Sequence, residues 1–128
     1  MTRPDGASLS ITFLYYKDLA AACAFYEDVL GLTLAIDQGW SKIYQICPGA
    51  HIGLVDETKG FHNSEPIKPV QVCLRVPDAD AWYAWVREKG VANLSEMFEP
   101  EGIGIRAFVF EDPEGWQIEI QTPTREGA

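Results

Sequence analysis

Residues 11–32 read ITFLYYKDLAAACAFYEDVLGL, and residues 71–92 read QVCLRVPDADAWYAWVREKGVA. Each segment begins with the apolar, β-branched and aromatic residues typical of a strand and continues with a helical pattern. Asp18 and Asp78 precede the two predicted helices, 60 positions apart. Their carboxylates suit the free N–H groups of a first helical turn, while Gly31 and Gly90 suit the left-handed conformation that ends a helix. The chain therefore contains an internal repeat that begins with a strand and a helix.

The repeat continues into two segments that each join a turn to a strand. CPGAHIGLVD (47–56) aligns with DPEGWQIEIQ (112–121), and their turn glycines, Gly49 and Gly115, lie 66 positions apart. Both turns predict β-hairpins, because proline followed closely by glycine is typical of tight turns. The predicted upstream strands are residues 40–46 and 103–110, and weaker strand patterns precede them at 32–37 and 91–98. Each half is therefore predicted to be a βαβββ module.

The predicted fold class is α+β, with modules at about 8–56 and 70–122 in one domain that spans residues 1–128. The linker between the modules, residues 57–69, is polar and contains prolines, and a connection of this length often covers a site. Each helix has one apolar stripe and is expected to pack on the outside of its half-sheet. We expect the half-sheets to form a curled mixed sheet around a shared cleft, which is the predicted binding site.

Composition limits the possible partners. The 128 residues include 19 acidic and 10 basic side chains, for a net charge of -9, which disfavours nucleic acid and membrane surfaces and favours cationic or neutral small molecules. The three cysteines are widely spaced, so neither a disulfide framework nor a zinc knuckle is predicted. No apolar stretch approaches the roughly 20 residues that cross a bilayer. We expect a cytoplasmic protein.

Two segments resemble the signature segments of the vicinal oxygen chelate superfamily, namely KDLAAACAFYEDVLGL (17–32) and EDPEGWQIEIQ (111–121). That superfamily includes glyoxalase I, extradiol dioxygenases, fosfomycin-resistance enzymes and bleomycin-resistance proteins. The resemblance extends over nearly the whole chain, from about residue 8 to residue 122. It implies the paired-module fold and leaves two functional classes open, metal enzymes and metal-free binding proteins, because both use this scaffold.

The resemblance also implies where a metal ion would bind. In the metal enzymes of the family, the first and last strands of each module supply the ligands, and these positions fall at Ile11, Gly53, Gln71 and Glu119. Isoleucine and glycine offer no side-chain donor, whereas a Mn, Fe, Ni or Zn site needs about three protein donors. A shifted set of His51, Gln71 and Glu119 is an alternative, although moving a ligand by two residues displaces it about 6–7 Å along a strand. We therefore favour a site without a metal.

Glu119 is the central candidate of the predicted site. It either faces solvent or lies in the cleft, where it contacts the ligand or acts as a general base. A cleft carboxylate without a metal is expected to have a raised pKa or a partner such as Gln71 or Arg75. Arg75 has two further interpretations, a grip on an anionic ligand and a surface charge. Cys73 shares the predicted face of Gln71 and is expected to pack there rather than to act as a nucleophile.

Aromatic side chains supply the remaining candidates. An aromatic cleft without a metal suits a flat, apolar or cationic molecule that stacks on the rings, and core packing is the alternative for each ring. Trp82 and Trp85 are assigned to helix packing or to a subunit interface, and His62 in the linker is expected to be exposed. The predicted ligand-binding residues are Phe13, Tyr15, Trp40, Tyr44, His51, Gln71, Cys73, Arg75 and Glu119.

Three functional hypotheses follow. The first is a metal-free, homodimeric protein similar to bleomycin-resistance proteins, which sequesters a cationic or neutral aromatic compound. The second is a divalent-metal-dependent lyase, isomerase or dioxygenase of the glyoxalase type, in which the ion polarises substrate oxygens. The third is a metal-free enzyme in which Glu119 is the base.

Overall fold

The computed structural model describes all residues, 1–128, which divide into two compact units, residues 1–64 (unit 1) and 65–128 (unit 2). Unit 1 contains β1 (Ser10–Tyr16), α1 (Leu19–Asp28), β2 (Thr33–Asp37), β3 (Ser41–Cys47) and β4 (Ala50–Asp56). Unit 2 contains β5 (Gln71–Arg75), α2 (Ala79–Lys89), β6 (Ile105–Glu111) and β7 (Gln117–Pro123). Neither helix is long and apolar enough to cross a membrane.

Unit 1 is a four-stranded mixed sheet in the order β1-β4-β3-β2, with β1 and β4 parallel and the other pairs antiparallel. The helix α1 covers one face of this sheet, as the hydrogen bond from Tyr16 Oη to Tyr26 Oη (3.1 Å) shows. Side chains alternate along a strand, so Leu14 points toward α1 and Phe13 points away from it. The buried apolar core of unit 1 consists of Leu14, Tyr16, Ala22, Tyr26, Leu30, Ile43, Tyr44, Ile52, Leu54 and Val55.

Unit 2 is a three-stranded mixed sheet in the order β5-β7-β6, with β5 and β7 parallel. The helix α2 packs on one face, where the rings of Tyr83 and Phe108 meet edge to face with their centroids 5.0 Å apart. Phe108 also stacks on Phe110 with a centroid separation of 6.0 Å. The buried apolar core of unit 2 consists of Ala79, Val86, Ile105, Ala107, Phe108, Phe110, Ile118 and Ile120.

Three of the four predicted helix ends are confirmed, whereas α1 ends earlier than predicted, with Val29 as its C-cap, and Gly31 has its positive φ of 67° two residues later. The Asp18 carboxylate accepts a hydrogen bond from the backbone N–H of Ala21, and the Asp78 carboxylate accepts one from that of Ala81, both at 3.0 Å. Gly90 ends α2 in the left-handed conformation with φ 72°. The tandem α+β fold predicted from the repeat is therefore observed, with strands within two residues of the predicted bounds in β2, β3 and β6.

The strand predicted at residues 91–98 is wrong as a continuous strand. Only two isolated bridges join this segment to β6, and they pair Ala92 with Glu111 and Phe98 with Ala107. Between the bridges Asn93 has a positive φ of 52°, and the hydroxyl of Ser95 accepts the backbone N–H of Val109 at 2.9 Å. The segment therefore follows β6 as an irregular edge, in which a side chain replaces part of the backbone ladder.

Candidate functional site

The sheet face of unit 1 that points away from α1 carries three of the predicted ligand-binding residues, namely Phe13, Tyr15 and His51. Phe13 and Tyr15 project from this face of β1, and the register sets Phe13 opposite Gly53 and Ile11 opposite His51. We call the surface formed by Ile11, Phe13, Tyr15, His51 and Gly53 the aromatic face. Its side chains come from the neighbouring parallel strands β1 and β4, so the pairing of the first and last strands of the module creates it.

The ring of Phe13 occupies the space that a side chain at position 53 would need. An ideal Cβ on Gly53 would lie 2.5 Å from Phe13 Cδ1, 2.6 Å from Phe13 Cε1 and 3.3 Å from Ile11 Cγ2. Phe13 nevertheless keeps 46% of its surface exposed. The position that the resemblance assigns to a carboxylate ligand is therefore filled by an aromatic ring, which remains available for contact with another molecule.

His62 is exposed, as the sequence predicted, and its ring also contacts the aromatic face. Its ring lies 5.2 Å from that of Tyr15, centroid to centroid, with a tilt of 46°. The chain can return to the sheet because Gly60 packs against Val55, where a Cβ would lie 2.7 Å from Val55 Cγ1. The Glu57 carboxylate also accepts the backbone N–H of Ser64 at 2.7 Å. The glycine at position 60 is the only sequence signal that pointed to this close approach.

His51 and Trp40 lie at different depths. His51 is 9% exposed, and its Nδ1 is buried without a hydrogen bond in the structure. Trp40 lies at the turn before β3, where its carbonyl accepts the N–H of Asp56 at 2.9 Å, and 47% of its surface is exposed. Among the predicted ligand-binding residues of unit 1, Phe13 and Trp40 thus have exposed rings, while His51 is a buried side chain of β4.

Tyr44 does not lie on the aromatic face, contrary to the sequence expectation. It is almost fully buried on the side of the sheet that α1 covers, and its hydroxyl donates to Glu27 Oε1 at 2.9 Å. Burial raises the pKa of Tyr44, and hydrogen bonds with Cys23 and Glu27 raise it further. Burial raises the pKa of the Cys23 thiol as well. Tyr44 is therefore part of the contact between sheet and helix.

The corresponding face of unit 2 is polar. The parallel strands β5 and β7 set Gln71 opposite Gln117, Cys73 opposite Glu119, and Arg75 opposite Gln121. We call the surface formed by these six residues the polar face. Gln71 Nε2 donates to Gln117 Oε1 at 2.6 Å, so the predicted Gln71 partner is Gln117 rather than Glu119. Each cross-strand pair is joined by a side-chain hydrogen bond.

Glu119 lies at the centre of the polar face and is held by two donors. Its Oε2 accepts from Gln121 Nε2 at 2.6 Å and from Cys73 Sγ at 3.4 Å. Gln121 Oε1 in turn accepts from Arg75 Nε at 2.9 Å and from Arg75 Nη2 at 2.7 Å. Partial burial, together with the Glu119 carboxylate, raises the pKa of the Cys73 thiol to about 11. At neutral pH Cys73 is therefore a protonated donor to Glu119 and a poor nucleophile.

The side chains at the predicted ligand positions do not fit a divalent metal ion. In unit 1, Ile11 has no donor atom, and a donor-bearing side chain at position 53 would collide with Phe13. In unit 2, Gln71 is bonded to Gln117, and one oxygen of Glu119 is already bonded to its neighbours. No group of three or more His, Cys, Asp or Glu side chains is placed to hold a metal. The four positions thus supply one carboxylate and no imidazole, fewer donors than such an ion requires.

A separate apolar depression lies on α2 and is lined by Ala81, Trp82 and Trp85. The Lys89 ammonium lies 4.6 Å from the centroid of the Trp85 ring, at the distance of a cation-π contact. The lining has no titratable or nucleophilic group, so we place the candidate site on the sheet faces rather than on this helix.

A family model described as the Glyoxalase/Bleomycin resistance protein/Dioxygenase superfamily matches residues 8–120. These are the protein classes that the sequence resemblance named, so the predicted resemblance is confirmed. A comparison with curated protein sequences finds no match.

Solved structures with the same fold include a lyase, a fosfomycin resistance protein and an antibiotic binding protein. The lactoylglutathione lyase from Agrobacterium tumefaciens is 22% identical with a TM-score of 0.75, and the match covers 98% of this chain and 100% of that one. The fosfomycin resistance protein FosX from Listeria monocytogenes is 16% identical with a TM-score of 0.74 and coverages of 95% and 98%. TnmS3, an antibiotic binding protein from Streptomyces sp. CB03234, is 24% identical with a TM-score of 0.73 and coverages of 94% and 99%. At these identities the likeness shows the fold alone.

Proposed function

Because this chain belongs to the glyoxalase/bleomycin resistance protein/dioxygenase superfamily, we propose that it binds a small aromatic molecule, cationic or neutral, without a metal ion. The observation that carries this proposal is the placement of the Phe13 ring where a side chain at Gly53 would lie. Gly53 supplies no side-chain metal ligand, and the Phe13 ring adds a stacking surface in the same place. The missing metal ligand and the added stacking surface therefore both favour binding over metal chemistry.

The exposed fraction of Phe13 supports an aromatic ligand. Almost half of its surface is free although the neighbouring core side chains of β1 are buried. An aromatic pair contributes about 0.5–1.5 kcal/mol beyond the apolar area that it buries, so a flat ligand gains most from this ring. Trp40, which is equally exposed, offers a second stacking surface in unit 1.

The charge of the chain supports a cationic or neutral ligand. The net charge of -9 raises the local concentration of cations and lowers that of anions. Glu119 is proposed as a ligand contact, because a carboxylate on an otherwise amide-rich face is an acceptor for N–H and O–H groups. TnmS3 gives a precedent for antibiotic binding on this fold.

The proposal includes the expected absence of a cofactor, a homodimeric state and a cytoplasmic location. Light scattering of the purified protein tests the dimer. The same sample, purified without a chelator, is suitable for metal analysis.

The test of the proposal combines metal analysis with calorimetric titration of three matched naphthalene probes. These are 2-naphthylmethylammonium (cationic), 2-naphthylmethanol (neutral) and 2-naphthoate (anionic). We expect less than stoichiometric metal, binding of the first two probes and weaker binding of the third. We expect Phe13→Ala to weaken binding of the cationic and neutral probes about ten-fold, since it removes the ring that stacks on them.

Phe61→Ala is the matched control, because Phe61 is 96% exposed in the linker and its loss removes an aromatic ring outside the aromatic face. We expect this variant to bind like the wild type. Near-stoichiometric Mn, Fe, Ni or Zn that is lost in Glu119→Ala would contradict the proposal, and so would equal affinities of wild type and Phe13→Ala for every probe.

A further inference from the structure

We infer that Arg75 is a positioning residue that acts through Gln121 to hold Glu119 with one oxygen occupied and the other directed to an N–H or O–H donor of the ligand. The inference rests on the proposed function and specifies its ligand class, which is a hydrogen-bond donor such as a primary ammonium. It differs from both expectations for Arg75, an anion grip and a simple surface charge.

The first step is the contact between Arg75 and Gln121. The guanidinium uses two nitrogens, Nε at 2.9 Å and Nη2 at 2.7 Å, on the single acceptor Gln121 Oε1. A guanidinium has donors only, so the oxygen end of the Gln121 amide must face it. The nitrogen end of the amide then points along β7 toward Glu119. Arg75 therefore sets the orientation of an amide whose two ends have opposite hydrogen-bonding character.

The second step is the contact between Gln121 and Glu119. Gln121 Nε2 donates to Glu119 Oε2 at 2.6 Å, and Cys73 Sγ donates to the same oxygen at 3.4 Å. Gln121 is 9% exposed, so little water competes for this amide. No hydrogen bond is made by Glu119 Oε1 in the structure. The carboxylate is thus fixed at one oxygen and retains an acceptor at the other.

The third step is the consequence for Arg75. Its remaining nitrogen, Nη1, donates to the backbone oxygen of Ala128 at 2.6 Å. With Nε and Nη2 on Gln121, all three guanidinium nitrogens are engaged. Three of the five guanidinium N–H donors are thus used, and a ligand carboxylate or phosphate is left with one N–H on Nη1 and one on Nη2. Glu119 Oε1, in contrast, accepts no hydrogen bond and suits a ligand donor. The polar face therefore selects donors over anions.

The chain of hydrogen bonds from Arg75 through Gln121 to Glu119, here called the relay, is tested first without any ligand. Solution NMR of the wild type is expected to show the Gln121 side-chain NH₂ protons as a downfield pair that exchanges slowly with water. Arg75→Lys keeps the positive charge and loses the two-nitrogen contact, so this signature is expected to be lost. Arg87→Lys is the matched control on the exposed surface of α2 and is expected to leave it unchanged. Persistence of the protected pair in Arg75→Lys would overturn the inference.

The ligand class is tested with two cations of equal charge, one with N–H donors and one in which three N-methyl groups replace them. 2-Naphthylmethylammonium carries N–H groups, while 2-naphthylmethyl(trimethyl)ammonium carries the same charge without them. We expect the wild type to prefer the primary ammonium about ten-fold, a preference that Glu119→Ala abolishes and Arg75→Lys reduces to about three-fold. Arg87→Lys is expected to keep the full preference.

The outcomes separate this inference from the proposed function. Equal affinities of the wild type for the two cations would overturn the donor selection while leaving aromatic binding intact. If neither cation binds and 2-naphthylmethanol does not bind, the proposed function and the ligand class fail together, and the Gln121 signature alone decides whether Arg75 positions Glu119. A thermal unfolding curve of each variant distinguishes loss of the relay from loss of the fold.

Discussion

The two units share one pattern of strands and a helix but differ at the centre of the sheet face that points away from the helix. In unit 1 the last strand carries Gly53, and the Phe13 ring lies over it. In unit 2 the last strand carries Glu119, which is hydrogen-bonded to Cys73 and Gln121. The equivalent position is thus apolar and filled in one unit, and polar and partly open in the other.

The difference shows two ways in which a sheet can accommodate a position to which the sequence resemblance assigns a metal ligand. One unit removes the donor and fills the space, which gains packing and avoids an unpaired charge. The other keeps the donor and surrounds it with hydrogen-bonding neighbours, which compensates for the lost solvation of the carboxylate. At this position unit 1 thus presents an aromatic ring, and unit 2 presents a hydrogen-bonded carboxylate.

The largest expected effect concerns the hairpin turns that precede these two strands. Asp112 is 2% exposed, and its Oδ1 accepts the backbone N–H groups of Glu114 and Trp116, each at 2.9 Å. In unit 1 the equivalent turn depends on Gly49, which has a φ of 82°. We expect Asp112→Ala to lower the free energy of unfolding by about 3 kcal/mol in urea titration, because two hydrogen bonds to a charged acceptor are lost.

Asp112→Asn is the control for this variant, since its amide oxygen still accepts both N–H groups. We expect it to retain most of the stability. Equal losses for the two substitutions would mean that the charge of Asp112, rather than its acceptor geometry, holds the turn.

A second, smaller effect tests the packing of Phe13 on Gly53. Replacing a strand glycine by alanine usually stabilises by about 0.5–1 kcal/mol. Here the added Cβ would meet Phe13 at 2.5 Å, so we expect Gly53→Ala to destabilise the protein by about 1–2 kcal/mol. In a Phe13→Ala background, Gly53→Ala is expected to increase the free energy of unfolding, as such a substitution usually does.

Urea unfolding of the four proteins in this double-mutant cycle measures the coupling. Gly6→Ala is the reference, because nothing lies within 4 Å of a Cβ at that position. An equal gain in the free energy of unfolding from Gly53→Ala in both backgrounds would contradict this prediction. It would mean that the Phe13 ring does not obstruct a side chain at position 53.

The third effect concerns the charge of Glu119 and is read at Cys73. Partial burial and the neighbouring carboxylate raise the pKa of the thiol to about 11, so little thiolate is present at pH 8. Glu119→Gln removes the negative charge and lowers this pKa, which increases the thiolate fraction below pH 11. We expect the rate of alkylation by iodoacetamide at pH 8 to rise about ten-fold, for a change of about one pKa unit.

Peptide-resolved mass spectrometry follows Cys73 and the exposed Cys47 in the same sample, so Cys47 is an internal reference. The pH at which Cys73 alkylation is half-maximal is expected to move down in the variant, while the Cys47 profile stays in place. An unchanged Cys73 profile would mean that Glu119 does not influence the thiol.

Local sequence signals predicted the fold because each depends on nearby residues. Asp18 and Asp78 cap the helices that follow them, and Gly90 takes the left-handed conformation that its position indicated. Residues 91–98 were predicted as a strand because their apolar content suits one. Their backbone departs from that prediction where Asn93 takes a positive φ, which asparagine tolerates better than most residues.

The site could be predicted only in part. Alternation along β5 correctly grouped Gln71, Cys73 and Arg75 on one face, because the opposite face of that strand is apolar. Alternation could not assign Tyr44, since both faces of β3 carry buried side chains and the sequence does not identify the face that α1 covers. The bond between Arg75 and Gln121 joins residues 46 positions apart, and only the parallel register of β5 and β7 determines it.

The packing of Phe13 on Gly53 also has an evolutionary consequence. A carboxylate at position 53 would collide with the ring, so a substitution there is disfavoured as long as residue 13 is large. Residue 13 must first become small, and that step by itself exposes the sheet without creating a metal ligand. The two positions are therefore coupled, because a carboxylate at position 53 fits only together with a small residue 13.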